Sequence, residues 1–562
     1  MPSPLLLNLI GPSVALALVA RQVFRRHEVY SLRAQILLLF VPPGVVALHA
    51  TRLPSSIWTF FEAFWLSLAI YVAALLIATV VYRLSPWHPL ATYPGPALRK
   101  VSELVSAYYV ATGRKGTHLR TLHEQYGDIV RIGPNTLSIV DTSLMPHLWN
   151  HSILNHFLAN IGIKMSYKNV TMMGIRDPEE HARRRRPWNR GLSQAAVKEY
   201  EQPLMARVLL LIRRLEEQKG EVNLAKWTSM FSMDFTCDMA FGGGTELLRD
   251  GEHTNPFNTL QKGMVLASVL AQVPWLGVCL GHIPGSGRPL RALHTASRSF
   301  AARRLKRGAT TRDLFHYLNN EDLQDVPPPP QERLIGDAIL AVVAGADTTS
   351  NTMVSMFYCL LANPAAYAAL QAEVDKFYPP GDNPYDTKHY QEMHYLNAVI
   401  NETIRLYHPT STGGQRQVPS SGPPLVVGSV VIPPGTIFFM PMSTLHRDPR
   451  NFSYPSAFWP ERWLIASGHI SVDSKEARAP GPLTKDQFVH NDTAFITFGL
   501  GPLACVGKAL ANLQMRMFVC ALLQKFEFQL RNGWDPKAYD DSIREYVNLT
   551  TPELPVYLRA RW

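Results

Sequence analysis

Residues 498–508 read FGLGPLACVGK. Its three glycines flank a single cysteine, Cys505; they are Gly499, Gly501 and Gly507. Glycine lets the backbone approach a bulky group and turn its N–H donors toward a buried anion. A thiolate held by such donors is an electron-rich metal ligand. A lone cysteine is more often a small buried apolar residue, but the glycine pattern favours a metal ligand here.

A phosphate-binding loop is the other structure that glycines near a lysine can form. Its pattern needs four residues between the two glycines and a Ser or Thr directly after the lysine. Here five residues separate Gly501 from Gly507, and Ala509 follows Lys508. The stretch therefore favours a cysteine that binds a metal over a phosphate loop.

The stretch resembles the haem-binding loop of the cytochrome P450 monooxygenases. The resemblance implies that Cys505 is the axial thiolate ligand of the iron of haem b, iron protoporphyrin IX. The other residues of the loop to which it assigns cofactor binding are Phe498, Gly499, Gly501 and Gly507. Members of the family usually have a basic residue two positions before the cysteine, which holds a haem propionate. This sequence has Leu503 at that position.

Two distant motifs predict a buried ion network. Glu402 and Arg405 are three residues apart, so on a helix they share one face. Such a pair alone is commonly surface charge, but apolar neighbours indicate a buried helix, where an ion pair must be well partnered. The segment FWPERW at 458–463 resembles the family segment whose arginine joins this pair. We therefore expect Arg462 to complete a structural network behind the haem loop.

Polar side chains interrupt a long apolar helical pattern at residues 344–350, AGADTTS. A buried polar group needs a partner or a use. A threonine that hydrogen-bonds to the preceding turn and bends the helix is the simplest explanation. The resemblance adds that the helix opens at Gly345 to admit O₂. It also implies that Asp347 and Thr348 are catalytic, because they organise the waters that deliver protons to the bound dioxygen.

Three further basic residues are expected to bind the haem propionates, although ordinary surface charge is the alternative for each. Arg416 follows Gly414 and Gln415 at the family position for such a residue. His181 and Arg185, four residues apart on a predicted helix, match a family element of the form W/H-x-x-x-R. The other arginines of this run are expected to be solvated or to face an acidic redox partner: Arg183, Arg184 and Arg186.

The first 84 residues form the predicted membrane anchor, with one to three transmembrane segments. Residues 63–82 carry no charge, and twenty helical residues span about 30 Å, the thickness of the hydrocarbon core of a bilayer. Two weaker apolar segments precede them, at 4–20 and 34–50, and prolines interrupt both. An in-plane or hairpin association is the alternative for these two. The first segment lacks a charged region before it, which favours an anchor over a signal peptide.

Positive charge gathers at residues 21–33, between the first two apolar segments, and again from Arg83. The positive-inside bias places both basic stretches, and therefore the rest of the chain, in the cytosol. The expected location is the endoplasmic reticulum membrane. Residues 85–96 are rich in proline, which ends the helix and forms a hinge. Residues 97–562 are the predicted haem-thiolate domain.

The soluble part is expected to be mainly α with a minor β part, the cytochrome P450 fold preceded by transmembrane helices. Helical patterns cover 197–218, 227–241, 332–361 and 393–407, and extended ones lie near 129–140 and 425–441. The composition excludes some other classes of protein. With 46% hydrophobic and 18% charged residues the chain is not disordered, and five cysteines are too few for a disulfide scaffold. The chain has a net charge of +11, but its basic residues are not interleaved with aromatic ones as they are in a nucleic-acid groove. No nucleic acid is therefore expected.

The resemblance covers residues 90–562 and is closest to eukaryotic microsomal, fungal-like members. It implies a monooxygenase that inserts one atom of O₂ into an organic substrate. The chain has no flavin or nicotinamide motif, so an external NADPH–cytochrome P450 reductase is expected to supply electrons. Substrate contacts are expected from segments that are apolar or rich in small residues; they are 150–171, 264–283, 344–349, 409–414 and 548–552. They predict a lipophilic substrate such as a terpenoid, polyketide or fatty acyl chain, and the resemblance implies a role in secondary metabolism.

Two alternatives remain open from the sequence. One is a thiolate-haem isomerase or dehydratase that needs no reductase. The intact pair Asp347 and Thr348 argues against it, because such an enzyme needs no proton relay. The other is a non-catalytic haem-binding membrane protein, which only Leu503 suggests and which the other motifs disfavour.

Overall fold

The structure is a computed structural model, and it describes residues 4–27, 29, 31–53, 58–151, 153–154, 171–175, 177–251, 256–410 and 414–562. Helices outnumber strands throughout, which confirms the mainly α fold class. Three helices come first: α1 (Pro4–Arg26), α2 (Leu32–Thr51) and α3 (Phe60–Leu84).

Each of these three helices is long and apolar enough to cross a membrane. Pro12 lies inside α1 and does not end it, and the two prolines at 42 and 43 lie inside α2. Neighbouring helices can stabilise a proline within an apolar helix, because they pack against the weakened turn. The helices contact one another here, and the Tyr71 hydroxyl of α3 donates to the backbone oxygen of Leu38 in α2 at 2.7 Å.

α2 runs antiparallel to α1 and α3. Arg21, near the end of α1, stacks over the ring of Tyr82 near the end of α3, 4.5 Å from the ring centroid. At the start of α2, the Gln35 side-chain oxygen accepts from the Cys279 thiol, outside the anchor, at 3.4 Å. The end of α1, the start of α2 and the end of α3 therefore all lie on the side of the large helical part.

The helical part follows a proline-rich connection that is packed rather than free. The Arg131 backbone N–H donates to the Pro94 oxygen at 2.7 Å. Gly95 has φ of 153°, and a Cβ there would lie 2.2 Å from the Arg131 oxygen. Glycine is needed at this position because two backbones meet there.

The helical part contains 21 α-helices in the described ranges. They are α4 (Ala97–Val101), α5 (Leu104–Ala111), α6 (Lys115–Tyr126), α7 (Met145–His151), α8 (Pro178–Gly191), α9 (Gln194–Glu199), α10 (Glu201–Glu216), α11 (Leu224–Phe241), α12 (Leu247–Asp250), α13 (Pro256–Gln272), α14 (Pro274–Gly281), α15 (Arg288–Arg307), α16 (Leu314–Leu318), α17 (Gln331–Val342), α18 (Thr348–Ala362), α19 (Pro364–Phe377), α20 (His394–Leu406), α21 (Met442–Leu445), α22 (Glu461–Ala466), α23 (Lys508–Lys525) and α24 (Pro536–Ser542).

Most strands are short and belong to small sheets. They are β1 (Ile129–Arg131), β2 (Thr136–Ile139), β3 (Ile153–Leu154), β4 (Glu221–Asn223), β5 (Arg416–Gln417), β6 (Leu425–Val427), β7 (Val430–Ile432), β8 (Ile437–Phe439), β9 (Phe526–Leu530), β10 (Arg544–Glu545), β11 (Leu549–Thr550) and β12 (Pro555–Ala560). One sheet has the order β1-β2-β8-β5-β3, in which only β2 and β8 are parallel, and another has β4-β12-β9. β6–β7 and β10–β11 are antiparallel hairpins.

The predicted long helices are present, with two differences. The pattern at 197–218 is broken at Tyr200, and α10 begins afresh at Glu201. Pro203 explains the break, because a proline has no N–H to donate and is tolerated only in the first turn of a helix. The pattern at 332–361 becomes α17 and α18, joined by a π-turn at Val343–Asp347. These two helices run through the main core, so the π-turn lies inside the protein.

Candidate active site

The cysteine loop turns tightly between Phe498 and α23. The Cys505 backbone N–H donates to the Phe498 oxygen at 2.6 Å, which closes the loop. Gly499 and Gly501 have φ of 70° and 65°, in the left-handed region. Side chains are disfavoured in that region, so these two glycines are required by backbone conformation. Leu503 ends a short 3₁₀ turn and is half-buried.

The Cys505 sulfur lies at the amino-terminal end of α23. Solvent can reach its side chain, although protein surrounds much of the sulfur. Burial raises the pKa of the thiol, while a hydrogen bond from the Gly507 N–H and the charges of Arg185 and Lys508 oppose that rise. The helix dipole at this end also favours a negative sulfur.

Gly507 is important for its N–H group, which is directed to the Cys505 sulfur, and not for its lack of a side chain. Its φ is −86°, which any residue adopts, and a Cβ there would lie 3.9 Å from the Cys505 sulfur, an ordinary contact. The other four cysteines lie outside this loop. Cys237, Cys359 and Cys520 are buried, and Cys279 is half-buried at the contact with α2.

Arg185 contacts the cysteine loop directly. Its Nη2 donates to the backbone oxygen of Ala504 at 2.5 Å. His181 lies one turn earlier on α8 and is buried. Burial lowers the pKa of His181, and the charges of Arg185 and Arg416 lower it further. The three basic residues that the sequence assigned to the propionates therefore lie close enough to influence one another.

Arg416 is a buried cation without a hydrogen-bond partner at two of its nitrogens, Nε and Nη1, within the described residues. Its guanidinium lies 3.6 Å from the ring centroid of Trp149. Burial lowers its pKa to about 9. A buried charge is costly unless an opposite charge and hydrogen bonds compensate it. The carboxylate of a haem propionate would supply both, so the residues present fit the expected cofactor.

One sequence expectation about the arginine run is wrong. Arg184 is not solvated: its Nη2 lies 3.2 Å from Asp337 of α17, and both side chains are buried. The phase of α8 explains this, because Arg184 is three residues after the buried His181 and shares its face. Arg183 is exposed and pairs with Glu180 at 2.7 Å. Arg186 is exposed as well.

Glu402, Arg405 and Arg462 form the network that the sequence motifs suggested. The Glu402 carboxylate lies 2.8 Å from Arg405 Nη2 and 3.1 Å from Arg462 Nε, and all three side chains are fully buried. Burial disfavours the ionised carboxylate, but the charges of the two arginines outweigh it and lower the pKa of Glu402 to about 2. The remaining arginine N–H groups also find partners. Arg405 Nη1, for example, donates to the His446 backbone oxygen at 2.6 Å.

The sequence analysis missed one member of this network. Trp463 Nε1 donates to the second oxygen of Glu402 at 3.0 Å. The matching family segment has phenylalanine at this position, which has no donor. The indole N–H in a buried segment beside Arg462 was the signal, since a buried indole N–H usually finds an acceptor.

The polar run of the long helix lies at the π-turn. The Thr348 hydroxyl donates to the Ala344 oxygen at 2.7 Å, which is the hydrogen bond to the preceding turn that the sequence suggested. A Cβ at Gly345 would lie 3.0 Å from Thr236 Cγ2 of α11, so the two helices approach closely there. A π-turn inserts an extra residue and loosens the helical hydrogen-bond ladder at this position. That the helix opens at Gly345 to admit O₂ stays a prediction.

Asp347 is buried, and two neutral amides hold its carboxylate. Asn351 Nδ2 donates to Oδ1 at 3.0 Å, and Asn548 Nδ2 donates to Oδ2 at 2.8 Å. Burial raises the pKa of Asp347 to about 6, and the two hydrogen bonds limit the rise. The group can therefore gain and lose a proton near neutral pH. The sequence analysis placed Asn548 among substrate contacts and did not identify Asn351.

The segments expected to contact substrate are only partly described. Residues 155–170 and 411–413, within the expected segments 150–171 and 409–414, lie outside the described residues. The segment 264–283 forms the end of α13 and all of α14, with a break at Val273 before Pro274.

Comparisons with known proteins match most of the chain. The family model for cytochrome P450 matches residues 104–559. The chain is 30% identical over 492 residues to the cytochrome P450 monooxygenase FCK2 of Fusarium pseudograminearum, with 87% of this chain and 85% of that protein covered. It is 27% identical to the tryprostatin B 6-hydroxylase of Neosartorya fischeri, covering 87% and 86%. The crystal structure of the cytochrome P450DA haem domain has the same fold, with a TM-score of 0.64, 18% identity, and 81% and 94% covered.

Proposed function

This chain belongs to the cytochrome P450 family and is a haem-dependent monooxygenase, and from that premise we propose which residues carry the reaction. Cys505 would hold the haem iron through its thiolate. The observation that carries this assignment is the setting of its sulfur, at the start of α23 with the Gly507 N–H directed to it. Haem b, when bound, supplies the iron chemistry that activates O₂.

His181, Arg185 and Arg416 hold the propionates in this proposal. Arg416 supports it most strongly, because two of its buried nitrogens have no other partner among the described residues. Arg185 also donates to the cysteine loop, so it ties the loop to α8. The Glu402 network keeps the segment that carries Arg462 fixed behind that loop.

Asp347 and Thr348 supply and guide protons. Asp347 supports this role because its carboxyl group titrates near pH 6 in a buried site. Thr348 lies half-buried in the next position, and its oxygen can still accept a hydrogen bond while its proton is directed to Ala344. A positioned acid and hydroxyl can order water molecules on which protons move to a reacting oxygen.

The electrons come from an NADPH–cytochrome P450 reductase. Lys508 is exposed at the start of α23, beside the cysteine loop, and Arg183 and Arg186 are exposed on α8, the helix whose Arg185 contacts that loop. Such a surface is complementary to an acidic protein partner. The anchor places the enzyme in the endoplasmic reticulum membrane with the helical part in the cytosol, because the basic end of α1 lies on the side of the helical part.

The substrate is a lipophilic organic molecule of secondary metabolism. One relative is named for the 6-hydroxylation of an organic compound, tryprostatin B. Within this chain, the apolar α14 contacts the membrane anchor at Gln35. A lipophilic compound dissolved in the bilayer would therefore meet the helical part at α14.

The test uses full-length protein co-expressed with a reductase in microsomes. We expect the reduced, CO-bound form to show the spectrum of a thiolate-ligated haem, and we expect NADPH use that depends on lipophilic compounds added from a fungal extract. Cys505→Ser should abolish both signals, because the hydroxyl is a much poorer iron ligand than a thiolate. Cys279→Ser is the matched control and should retain both.

Two outcomes would contradict the proposal. A thiolate-type spectrum that survives in Cys505→Ser would remove the ligand assignment. A normal spectrum in the wild type, with NADPH use that no extract and no reductase changes, would instead support the isomerase or dehydratase alternative.

A further inference from the structure

The β10–β11 turn reaches the long central helix from a distant part of the chain. Asn548 lies in this turn and is 201 residues from Asp347. Its amide is buried and donates to Asp347 Oδ2 at 2.8 Å. The residue just after β11 fixes the second amide: the Thr551 hydroxyl donates to Asn351 Oδ1 at 2.8 Å, so the NH₂ group of Asn351 faces Asp347.

Three hydrogen bonds from backbone N–H groups to other parts of the protein hold this turn, so the position of the Asn548 amide is fixed. Its Val547 N–H donates to the hydroxyl of Ser268 on α13 at 2.8 Å. Its Leu549 N–H donates to the Pro409 oxygen at 2.7 Å, beyond the end of α20. At β10, the Glu545 N–H donates to the Gly113 oxygen at 2.8 Å.

We propose that Asn548 is a positioning residue, which fixes the carboxyl group of Asp347 and thereby the direction in which its proton leaves. The inference rests on the proposed role of Asp347 in proton delivery. Each carboxylate oxygen has two lone pairs, and one on each oxygen already accepts an amide N–H. A proton on Asp347 must therefore occupy a lone pair that points away from both amides.

Apart from the two amides, no other side chain is seen to orient the carboxyl group of Asp347 within the described residues. The two side chains that hydrogen-bond to it are neutral, and within the described residues no charged side chain contributes to the shift of its pKa. Its nearest neighbour along the chain, Thr348, directs its own proton to Ala344. The amides are therefore the groups that orient the carboxylate, and the one from Asn548 comes from outside the helix.

The first experiment measures the carboxyl group directly, without turnover. The infrared carboxyl band of Asp347, identified by its loss in Asp347→Asn, is titrated in purified full-length protein. We expect a wild-type midpoint near pH 6 and a higher midpoint in Asn548→Leu, because that variant loses a hydrogen bond that stabilises the ionised form. Asn548→Gln, which keeps the NH₂ group, should restore part of the shift. An unchanged midpoint in Asn548→Leu would overturn the inference.

The second experiment measures where reducing equivalents go. Microsomes with reductase and no added substrate are given NADPH, and hydrogen peroxide released per NADPH is measured. Two electrons and two protons convert O₂ to hydrogen peroxide, and four of each convert it to water, so poorer proton delivery raises the peroxide yield. We expect Asn548→Leu to raise it several-fold, and Asp347→Asn with Asn548→Leu to raise it no more than Asp347→Asn alone.

The two failures can be told apart. If Asp347→Asn raises the peroxide yield and Asn548→Leu does not, the inference is overturned and the role of Asp347 stands. If neither variant changes the yield, the role of Asp347 is overturned as well. Val547→Ala changes the same turn without touching either amide and should match the wild type in both experiments.

Discussion

Two groups of buried arginines in this molecule differ in how completely they are partnered. Arg405 and Arg462 share the Glu402 carboxylate, and backbone oxygens accept from their remaining N–H groups. Arg416 has no acidic partner in the described residues, and two of its nitrogens have no hydrogen-bond acceptor there. A buried charge that its own chain neutralises stabilises the fold, whereas one left without a partner is suited to bind an anionic ligand. The difference separates structural arginines from cofactor-binding ones.

The largest effect is expected where the partnered group loses the carboxylate that both arginines share. Glu402→Gln keeps the shape but removes the charge that pairs directly with buried Arg405 and Arg462. Breaking a buried ion pair by removing one partner costs about 3 to 5 kcal/mol, so we expect little folded, haem-containing protein. The measurement is the CO-bound absorbance and the free energy of unfolding, with exposed Glu476→Gln as the control. Near wild-type yield and stability would mean that the network is not structural.

The opposite result is expected for the unpartnered arginine. In Arg416→Leu the haem-free protein should be at least as stable as the wild type, because a costly buried charge has been removed. Its affinity for haem should fall about tenfold to hundredfold, the loss of one charged hydrogen bond. Haem titration and unfolding of the haem-free protein measure the two effects, with Arg291→Leu as the exposed control. Lower stability with unchanged haem affinity would place Arg416 among the structural arginines.

Acid should weaken the partnered group by protonating Glu402. The ordinary pKa of a glutamate is 4.5, and that of Glu402 in the folded protein is about 2. A carboxyl group with a lowered folded pKa adds stability above about pH 4.5, and that stability is lost as the pH falls toward 2. We expect the free energy of unfolding to fall across this window in the wild type and less steeply in Glu402→Gln. Equal slopes would show that Glu402 is not held ionised.

The smallest effect is expected for Trp463, the member of the Glu402 network that the motifs did not predict. Trp463→Phe removes one N–H donor to Glu402 and keeps an aromatic ring in place. We expect a loss of about 1.5 kcal/mol in the free energy of unfolding, the contribution of one hydrogen bond to a charged group. Haem affinity should be unchanged, since Trp463 belongs to the structural group. A loss of haem affinity without a loss of stability would contradict that assignment.

The sequence was sufficient to predict the fold class and the positions of the motifs, since each motif combines unusual residue types at a fixed spacing. It was insufficient wherever a contact depends on a partner far along the chain. Asn548 and Asp347 are an example, because nothing local to either residue indicates the other. Arg184 shows a second limit. Within a run of four arginines, only the rotation of α8 against α17 decides which one is buried.

The contact between α14 and the start of α2 has a practical consequence for truncated variants. Deleting residues 1–53 leaves α3 as a single tether, but it removes Gln35 and the helices packed beside it. The Cys279 thiol then loses its acceptor, and α14, on which Trp275 is already half exposed, loses this contact with the anchor. Shortened versions made for solubility should therefore aggregate through α14, and polar substitutions on that helix are the place to correct them.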